Sequence, residues 1–442
     1  MQHSGPRQIR VGTVRDELYR LVRSYIDKCN RCGDCRAVCP VFAEEPVETA
    51  VARGKLLLAG RLLSGELEPS PELMERLDKC LLCQRCTFNC AFHLRVDRVV
   101  MAARAAMAEE GALPLAKRAV FSLLGEHSTT MSLVCGAGAV TSALWGKRIP
   151  DESGLKLRFP LGGPLDGDRV VPKPAVRPFR SLVPASVETA HPKGRVAFFT
   201  GCYINYLAPD IGGDSLSLLA RAGVSVVIPE GQGCCGTPMM ASGDFRRALE
   251  QMRTNLRALS AVRADAVVVA CATCGTALRD LYPEMLGKLE PDLAEQARQL
   301  ADRTYDISEF LTEVVPLPEG PTLRKEVRVT YHDSCHLARG LGIRSQPRKL
   351  LQSIDGLDFV EMDGSDNCCG GAGAFSFTQR QLSLRITSHK IESIARTKAQ
   401  LVVSGCHGCN LQITEGLARE HSHTRTIHLV QLLERAYRQG QV

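Results

Sequence analysis

Two stretches of the chain repeat one alternation of short apolar runs and longer amphipathic segments. The first reads RVAFFTGC, a helical stretch, VSVVIPEGQGCCG, a longer helix and DAVVVACATC. The second reads VRVTYHDSC, a helix, FVEMDGSDNCCGGAG, a helix and QLVVSGCHGC. Apolar runs rich in Val and Phe, closed by Gly and turn residues, predict strands, and their alternation with helical segments predicts parallel βαβ units. In each unit the cysteines follow the strand, at the end where parallel sheets build their sites. The pattern leaves the strand order open.

The rest of the chain differs in texture. Residues 1–110 carry two dense cysteine runs joined by a helical stretch from Val51 to Leu67, and residues 111–194 are poor in cysteine and rich in Pro, Arg and Gly. Within the latter, LPLAKRAVFSLL predicts a helix, and RFPLGGPLDGDRVVPKPAVRPFRSLVP predicts an extended linker wrapped on a surface. The expected domains are therefore 1–110, the segment 111–194, and two α/β repeats at 195–320 and 321–442. Met131 to Trp145 is the longest apolar stretch, at 15 residues. It falls short of the roughly 18 needed to span a bilayer, so a buried helix or turn is expected, with an interfacial membrane segment as the alternative.

Composition changes this picture at one residue type. Apolar and charged fractions of 44% and 23% are ordinary, but there are 19 cysteines in 442 residues. The start, MQHSGPRQIR, lacks the basic-then-apolar pattern of a secretory signal, so a cytoplasmic setting is expected, in which abundant thiols favour metal ligation over disulfides. The net charge of +7 counts every thiol as neutral, and no basic cluster interleaved with aromatics accompanies it. No nucleic-acid binding is expected.

Cys29, Cys32, Cys35 and Cys39 form C-x2-C-x2-C-x3-C followed by Pro40, and Cys80, Cys83, Cys86 and Cys90 repeat the spacing, with Ala91 in place of the proline. Three closely spaced thiolates cap three corners of one iron–sulfur cube, while the fourth reaches the neighbouring cube, as in two-cluster ferredoxins. The expected partition is Cys29, Cys32, Cys35 and Cys90 on one [4Fe–4S] cluster, and Cys80, Cys83, Cys86 and Cys39 on the other. Structural zinc sites use separated C-x2-C pairs, which fits this run poorly. Gly33 is expected to relieve crowding between backbone and sulfur.

The repeats present Cys202, Cys234, Cys235, Cys271 and Cys274, then Cys335, Cys368, Cys369, Cys406 and Cys409. Adjacent cysteines suit two nearby metal centres or one cluster of unusual shape better than a single cube. Gly236 and Gly370 are expected to let backbone pass close to the sulfurs. Cys135 stands outside every set and is expected to be a small buried apolar residue. His332, His336 and His407 lie beside the second set, as proton donors or sulfur hydrogen-bonders on one reading and as polar loop residues on the other. Arg339 and Arg344 are candidate anion partners that more often cap helices or sit solvated. GGAGAF lacks the frame of a phosphate loop, and no dinucleotide fingerprint is visible.

These five-cysteine sets resemble the CCG domains of heterodisulfide reductases, in whose catalytic subunit each complete set carries a noncubane iron–sulfur cluster. With CNRCGDCRAVCP, ARGKLLLAGRLLSGEL and CLLCQRCTFNC before them, the layout resembles the iron–sulfur subunits of glycolate oxidase and of the lactate and anaerobic glycerol-3-phosphate dehydrogenases. The resemblance covers about residues 25–435. It implies a mostly helical two-[4Fe–4S] ferredoxin-like domain of α+β type, two pseudo-repeated α/β CCG domains, two cubanes and one or two further noncubane clusters. It also implies electron transfer from an FAD-binding dehydrogenase subunit acting on glycolate or lactate to a quinone or other acceptor, in the cytoplasm or peripherally at the inner face of the membrane. In that family the C-x2-C ends of the CCG repeats are often incomplete. Here all ten cysteines are present, which keeps open a catalytic reading in which paired clusters reduce a disulfide or related sulfur substrate.

Overall fold

The computed structural model describes residue 19 and residues 22–125, 128–148, 155–157 and 169–438. The start MQHSGPRQIR and residues 158–168 of the expected linker lie outside them. The first half is mainly helical. Ser70 caps the helix Pro71–Asp78 by accepting from the Leu73 amide, with proline at the first helical position. The helix Ala52–Leu63 packs across Val96–Met107, whose twelve residues are all buried. A helix buried on every side marks the middle of a core rather than its surface.

Three short antiparallel strands come first, β1 (Gly146–Arg148), β2 (Leu155–Leu157) and β3 (Val170–Val171). Next comes a sheet of β4 (Ser186–Val187), β5 (Gly194–Phe199), β6 (Val224–Val227), β7 (Ala266–Val269) and β8 (Thr304–Asp306), in the order β4-β6-β5-β7-β8. Only β4 is antiparallel. The second sheet, of β9 (Thr322–Tyr331), β10 (Asp355–Phe359), β11 (Leu401–Ser404) and β12 (Arg425–His428), runs β10-β9-β11-β12 and is wholly parallel. The parallel strands thus follow one order in both repeats. The central β7 and β11 are buried at every residue, as expected where helices cover both faces. In each sheet the direction of winding changes between the first and third parallel strands, and the crevice outside their carboxyl ends is where such folds place sites.

Several expectations shift. The FVEM run begins where β10 ends, because β10 is an amphipathic edge strand whose signal is carried by DGLDF. Strands β8 and β12 were not expected, being short and partly polar. The proline-rich segment does more than wrap a surface: β4 pairs with β6, and Phe179 packs edge-to-face on Phe198 at 6.3 Å. The apolar stretch forms two helices, Ser128–Val140, which buries Cys135 and Ala139, and the short Ser142–Trp145, but Leu133, Val140 and Leu144 remain 70%, 75% and 73% exposed. No described helix is long and apolar enough to cross a membrane.

At the carboxyl end of β8, Asp306 is only 3% exposed and accepts from the Ser308 amide and hydroxyl at 2.9 and 2.5 Å. Burial raises its pKa to about 6, against the pull of Ser308. The native state therefore holds a proton that the unfolded chain has released between about pH 4 and 6, and stability is lost as pH rises through that window. Asp306→Asn keeps the accepting oxygen without the charge. It is expected to raise stability at pH 7 by about 2 kcal/mol and to flatten the dependence of the melting temperature between pH 4 and 6.

Candidate metal centres

Both N-terminal cysteine loops bend in the same way. Arg31 and Gly33 in the first, and Leu82 and Gln84 at the matching positions of the second, all have left-handed backbone, with φ of 59°, 94°, 53° and 60°. Each loop thus curls around its first three thiols. Gly33 serves this bend rather than sulfur crowding, since a Cβ there would first meet the Arg53 guanidinium at 3.4 Å. Gln84 adopts the conformation as a non-glycine residue, at a cost of about 1–2 kcal/mol, with its side chain donating to Asp97 at 3.2 Å.

The loops line two partly open cavities. Cys29, Cys32, Cys35, Cys86 and Cys90 line the first; Cys39, Cys80, Cys83 and Cys86 line the second. Each fourth cysteine, Cys90 and Cys39, faces the cavity of the other run, and Cys86 lines both. Burial pushes Cys39 up to about 11 and raises Cys83 and Cys86. Buried thiols that resist ionisation in a metal-free pocket make good ligands only when a cation takes the proton's place. Cations and donors back the loops. Lys55 is buried in the second cavity's wall and donates to the Thr49 and Arg76 carbonyls at 3.0 and 3.1 Å. Arg104 donates to the Cys80 carbonyl at 2.9 Å.

The five cysteines of the first repeat lie at the carboxyl ends of β5, β6 and β7. Their side chains form a continuous sulfur array: Cys202 meets Cys234, Cys234 meets Cys235, Cys235 meets Cys274, and Cys274 meets Cys271. Cys235 accepts from Cys234 and then Cys274, which lowers its pKa well below the usual range. In the second repeat Cys369 and Cys406 are the lowered members, Cys369 accepting from Cys368 and Cys409, and Cys406 from Cys409. Cys335 stands apart from the hydrogen-bonded thiols; burial pushes it up to about 12, and it packs against the apolar cluster that holds Cys83. Gly236 and Gly370, with φ of 84° and 86°, pack against the following helices, and the Gly370 amide also approaches sulfur as expected, donating to Cys368 Sγ at 3.4 Å. A Cβ would meet the Ala248 carbonyl at 3.1 Å in one and Thr387 Oγ1 at 2.5 Å in the other.

The two repeats face each other through His336 and His407, which the sequence placed only beside their own cysteines, and through residues it did not single out. Tyr203, which follows Cys202, stacks on His407 of the second repeat at 4.7 Å, and His407 stacks in turn on His428 at 4.9 Å. His336, which follows Cys335, shares a 3.0 Å hydrogen bond through Nδ1 with Thr273 of the first repeat. The Ala272 amide donates to the Gly405 carbonyl at 3.3 Å. Each contact joins matching loops reciprocally, as a pseudo-twofold interface requires. The hydroxyl of Tyr203 lies near Cys406, Cys271 and Cys202, and so between the two sets. Nearly identical motif spacing announced the repeat, but nothing in it announced the contact.

The histidines are not solvated loop residues. His332, His336 and His407 are enclosed, and burial holds all three below the usual imidazole pKa. Arg339 is no substrate anchor: it is buried and donates to the Cys83 carbonyl at 2.8 Å and to Asp366 at 3.2 Å. Arg344 is exposed and pairs with Asp366 at 3.5 Å. The loop Gly370–Gly373 leads only to a four-residue helix, Phe375–Thr378.

Comparison with known proteins agrees with this geometry. Residues 25–94 match the 4Fe-4S dicluster domain family, and residues 196–279 and 329–414 each match the cysteine-rich domain family. The probable glycolate oxidase iron-sulfur subunit of Bacillus subtilis is 31% identical over 425 residues, 92% of either chain. Lactate utilization protein A of Oceanobacillus iheyensis is 34% identical over 247 residues, 56% of this chain and 98% of that one. A fumarate reductase (CoM/CoB) subunit of Methanothermobacter marburgensis is 34% identical over 299 residues, 65% of this chain and 58% of that one. A dicluster domain followed by two facing cysteine-rich repeats, matched along nearly its whole length, places this chain in the family of glycolate oxidase and lactate utilization iron–sulfur electron-transfer subunits.

Proposed function

We propose that this chain is the electron-transfer subunit of a flavin-dependent 2-hydroxy-acid dehydrogenase, acting on glycolate or lactate through a separate FAD-binding subunit and delivering electrons to a quinone or other acceptor. Cys29, Cys32, Cys35 and Cys90 would hold one [4Fe–4S] cluster, and Cys39, Cys80, Cys83 and Cys86 the other. Cys202, Cys234, Cys235, Cys271 and Cys274, and Cys335, Cys368, Cys369, Cys406 and Cys409, would hold noncubane clusters. When bound, such clusters supply one-electron redox centres.

The carrying observation is the continuity of the thiol sets. Cys86 lines both N-terminal cavities, and Cys83 packs in one apolar cluster with Cys368, Val41, Leu81 and Phe375, against which Cys39 and Cys335 also lie. Arg339 ties the Cys83 loop to the second repeat, and Tyr203 and His407 join the second repeat to the first. Aliphatic side chains enclose most of the cysteines of the two repeats, while the N-terminal loops stay partly exposed at Cys32, and backbone donors and buried cations contribute to the local field. The chain purified alone is expected to show no 2-hydroxy-acid oxidation, with activity appearing only on addition of the flavoprotein. Turnover without a flavin partner would sink this reading.

One observation favours a second reading. Both five-cysteine sets are complete and face each other, which suits reduction of a disulfide or related sulfur substrate. Paramagnetic resonance with and without a thiol–disulfide pair separates the two: a thiol-dependent signal lost in Cys234→Ser or Cys368→Ser would favour catalysis.

A further inference from the structure

One of the buried positions at which the two cysteine-rich repeats differ lies beside the leading cysteine of each. Three residues before its first cysteine, the first repeat has Phe199 and the second has His332, each at the carboxyl end of the leading strand of its sheet. His332 is 1% exposed. Its Nδ1 lies 3.1 Å from the Ser365 carbonyl, an oxygen that also accepts from Lys390 and the Asp333 amide. A carbonyl only accepts, so the proton sits on Nδ1, and the other nitrogen presents a lone pair. That nitrogen, Nε2, has no hydrogen-bond partner by geometry. The ligating atoms of His332, Cys369 and Cys409 all lie within 4.8 Å of one another. An imidazole anchored through one nitrogen to a backbone carbonyl, its other nitrogen turned toward two thiols, has the arrangement of a metal-ligating histidine. The thiol array points the same way. Cys202 of the first repeat bonds to its Cys-Cys pair, whereas the matching Cys335 stands apart from its own and packs toward Cys83.

We propose that His332 Nε2 is a ligand of the metal centre of the second repeat, beside Cys369 and Cys409. That centre is then a mixed nitrogen–sulfur one, while the first repeat, with Phe199 at the matching position, is ligated by sulfur alone. The inference rests on the reading that the second set holds an iron–sulfur cluster. His332 would then take the position that Cys202 fills in the first repeat, in place of Cys335 among the five cysteines assigned above. Exchanging thiolate for neutral imidazole makes a cluster easier to reduce. The two repeats would therefore differ in potential despite nearly identical cysteine spacing, with the second, beside the N-terminal clusters, the stronger acceptor.

The test uses the full chain, reconstituted anaerobically and labelled with 15N-histidine, with pulsed paramagnetic resonance in oxidised and reduced states, a redox titration and iron analysis. The wild type is expected to show a nitrogen coupling that changes with the isotope. His332→Ala should lose it. Should that variant fail to bind iron or to fold, His332→Cys supplies a replacement ligand: iron content should hold, the coupling should vanish and one midpoint potential should fall. His336→Gln, which alters a neighbouring imidazole, should retain the coupling. Absence of histidine-nitrogen coupling in the wild type, its survival in His332→Cys, or midpoint potentials unchanged by that substitution would overturn the inference alone. Equal iron content in wild type and Cys369→Ser would show no cluster at this set, overturning the functional reading and the inference together.

Discussion

Arg98→Ala is expected to destabilise the chain by about 3–5 kcal/mol, measured as the shift of the first denaturation transition under anaerobic conditions with the clusters loaded. Arg98 is 4% exposed in the helix Val96–Met107 and lies within 2.7 Å of Asp280 and 2.6 Å of Glu284, both on the first α/β repeat. It also pairs with buried Asp97 at 3.2 Å. Removing it leaves three carboxylates, one fully enclosed, with Arg95 on Asp97 and Asp280 and the half-exposed Lys288 on Glu284 as the remaining cations. The cost is the penalty of charges stranded away from water rather than the worth of a single ion pair. Arg36→Ala supplies the contrast. The Arg36–Glu48 pair is nearly half exposed on both sides, and its loss is expected to change stability by less than about 1 kcal/mol. Equal effects from the two substitutions would show that the buried junction does not hold the ferredoxin-like part to the first repeat.

The second large effect is expected from Cys83→Ser. Cys83 lines the cavity shared with Cys39, Cys80 and Cys86, and it packs against Cys368 of the second repeat. Its loss should reduce bound iron by about four per chain and remove one cubane signal, leaving the signal of the set containing Cys29. Acceptor reduction by the complete complex should fall at least about 100-fold, because tunnelling rates drop steeply when an intermediate centre is missing. Cys135→Ser should change neither iron content nor electron delivery, since Cys135 lies buried in the helix Ser128–Val140 outside all four sets. Retention of both cubane signals in Cys83→Ser would overturn the ligand assignment proposed for this cysteine.

The pseudo-twofold contact between the repeats bears on both experiments. Tyr203, Thr273, His336 and His407 carry no spacing motif, and their partners lie in the other repeat. A substitution in either loop therefore acts on two thiol sets at once, so a change in one repeat's signal is expected to be accompanied by a smaller change in the other's.

What the sequence determined by itself is the chemistry that is local along the chain. Three thiols in one loop are close whatever the rest of the fold does, so the spacing C-x2-C-x2-C announces a site without tertiary information. The same holds for parallel βαβ units, whose strands are buried on both faces and so read as apolar runs. The tertiary structure decided everything that depends on which loops meet. It buried His332 and turned its free nitrogen toward Cys369 and Cys409, and it used Arg339 to bridge Cys83 and Asp366. It also revealed β8 and β12, which are too short and polar to show a period, and it left Leu133, Val140 and Leu144 outside the core. The physical reason is common to all of these. Periodicity reports which residues seek burial along one element, while the identity of a buried polar group's partner depends on contacts made across the folded chain.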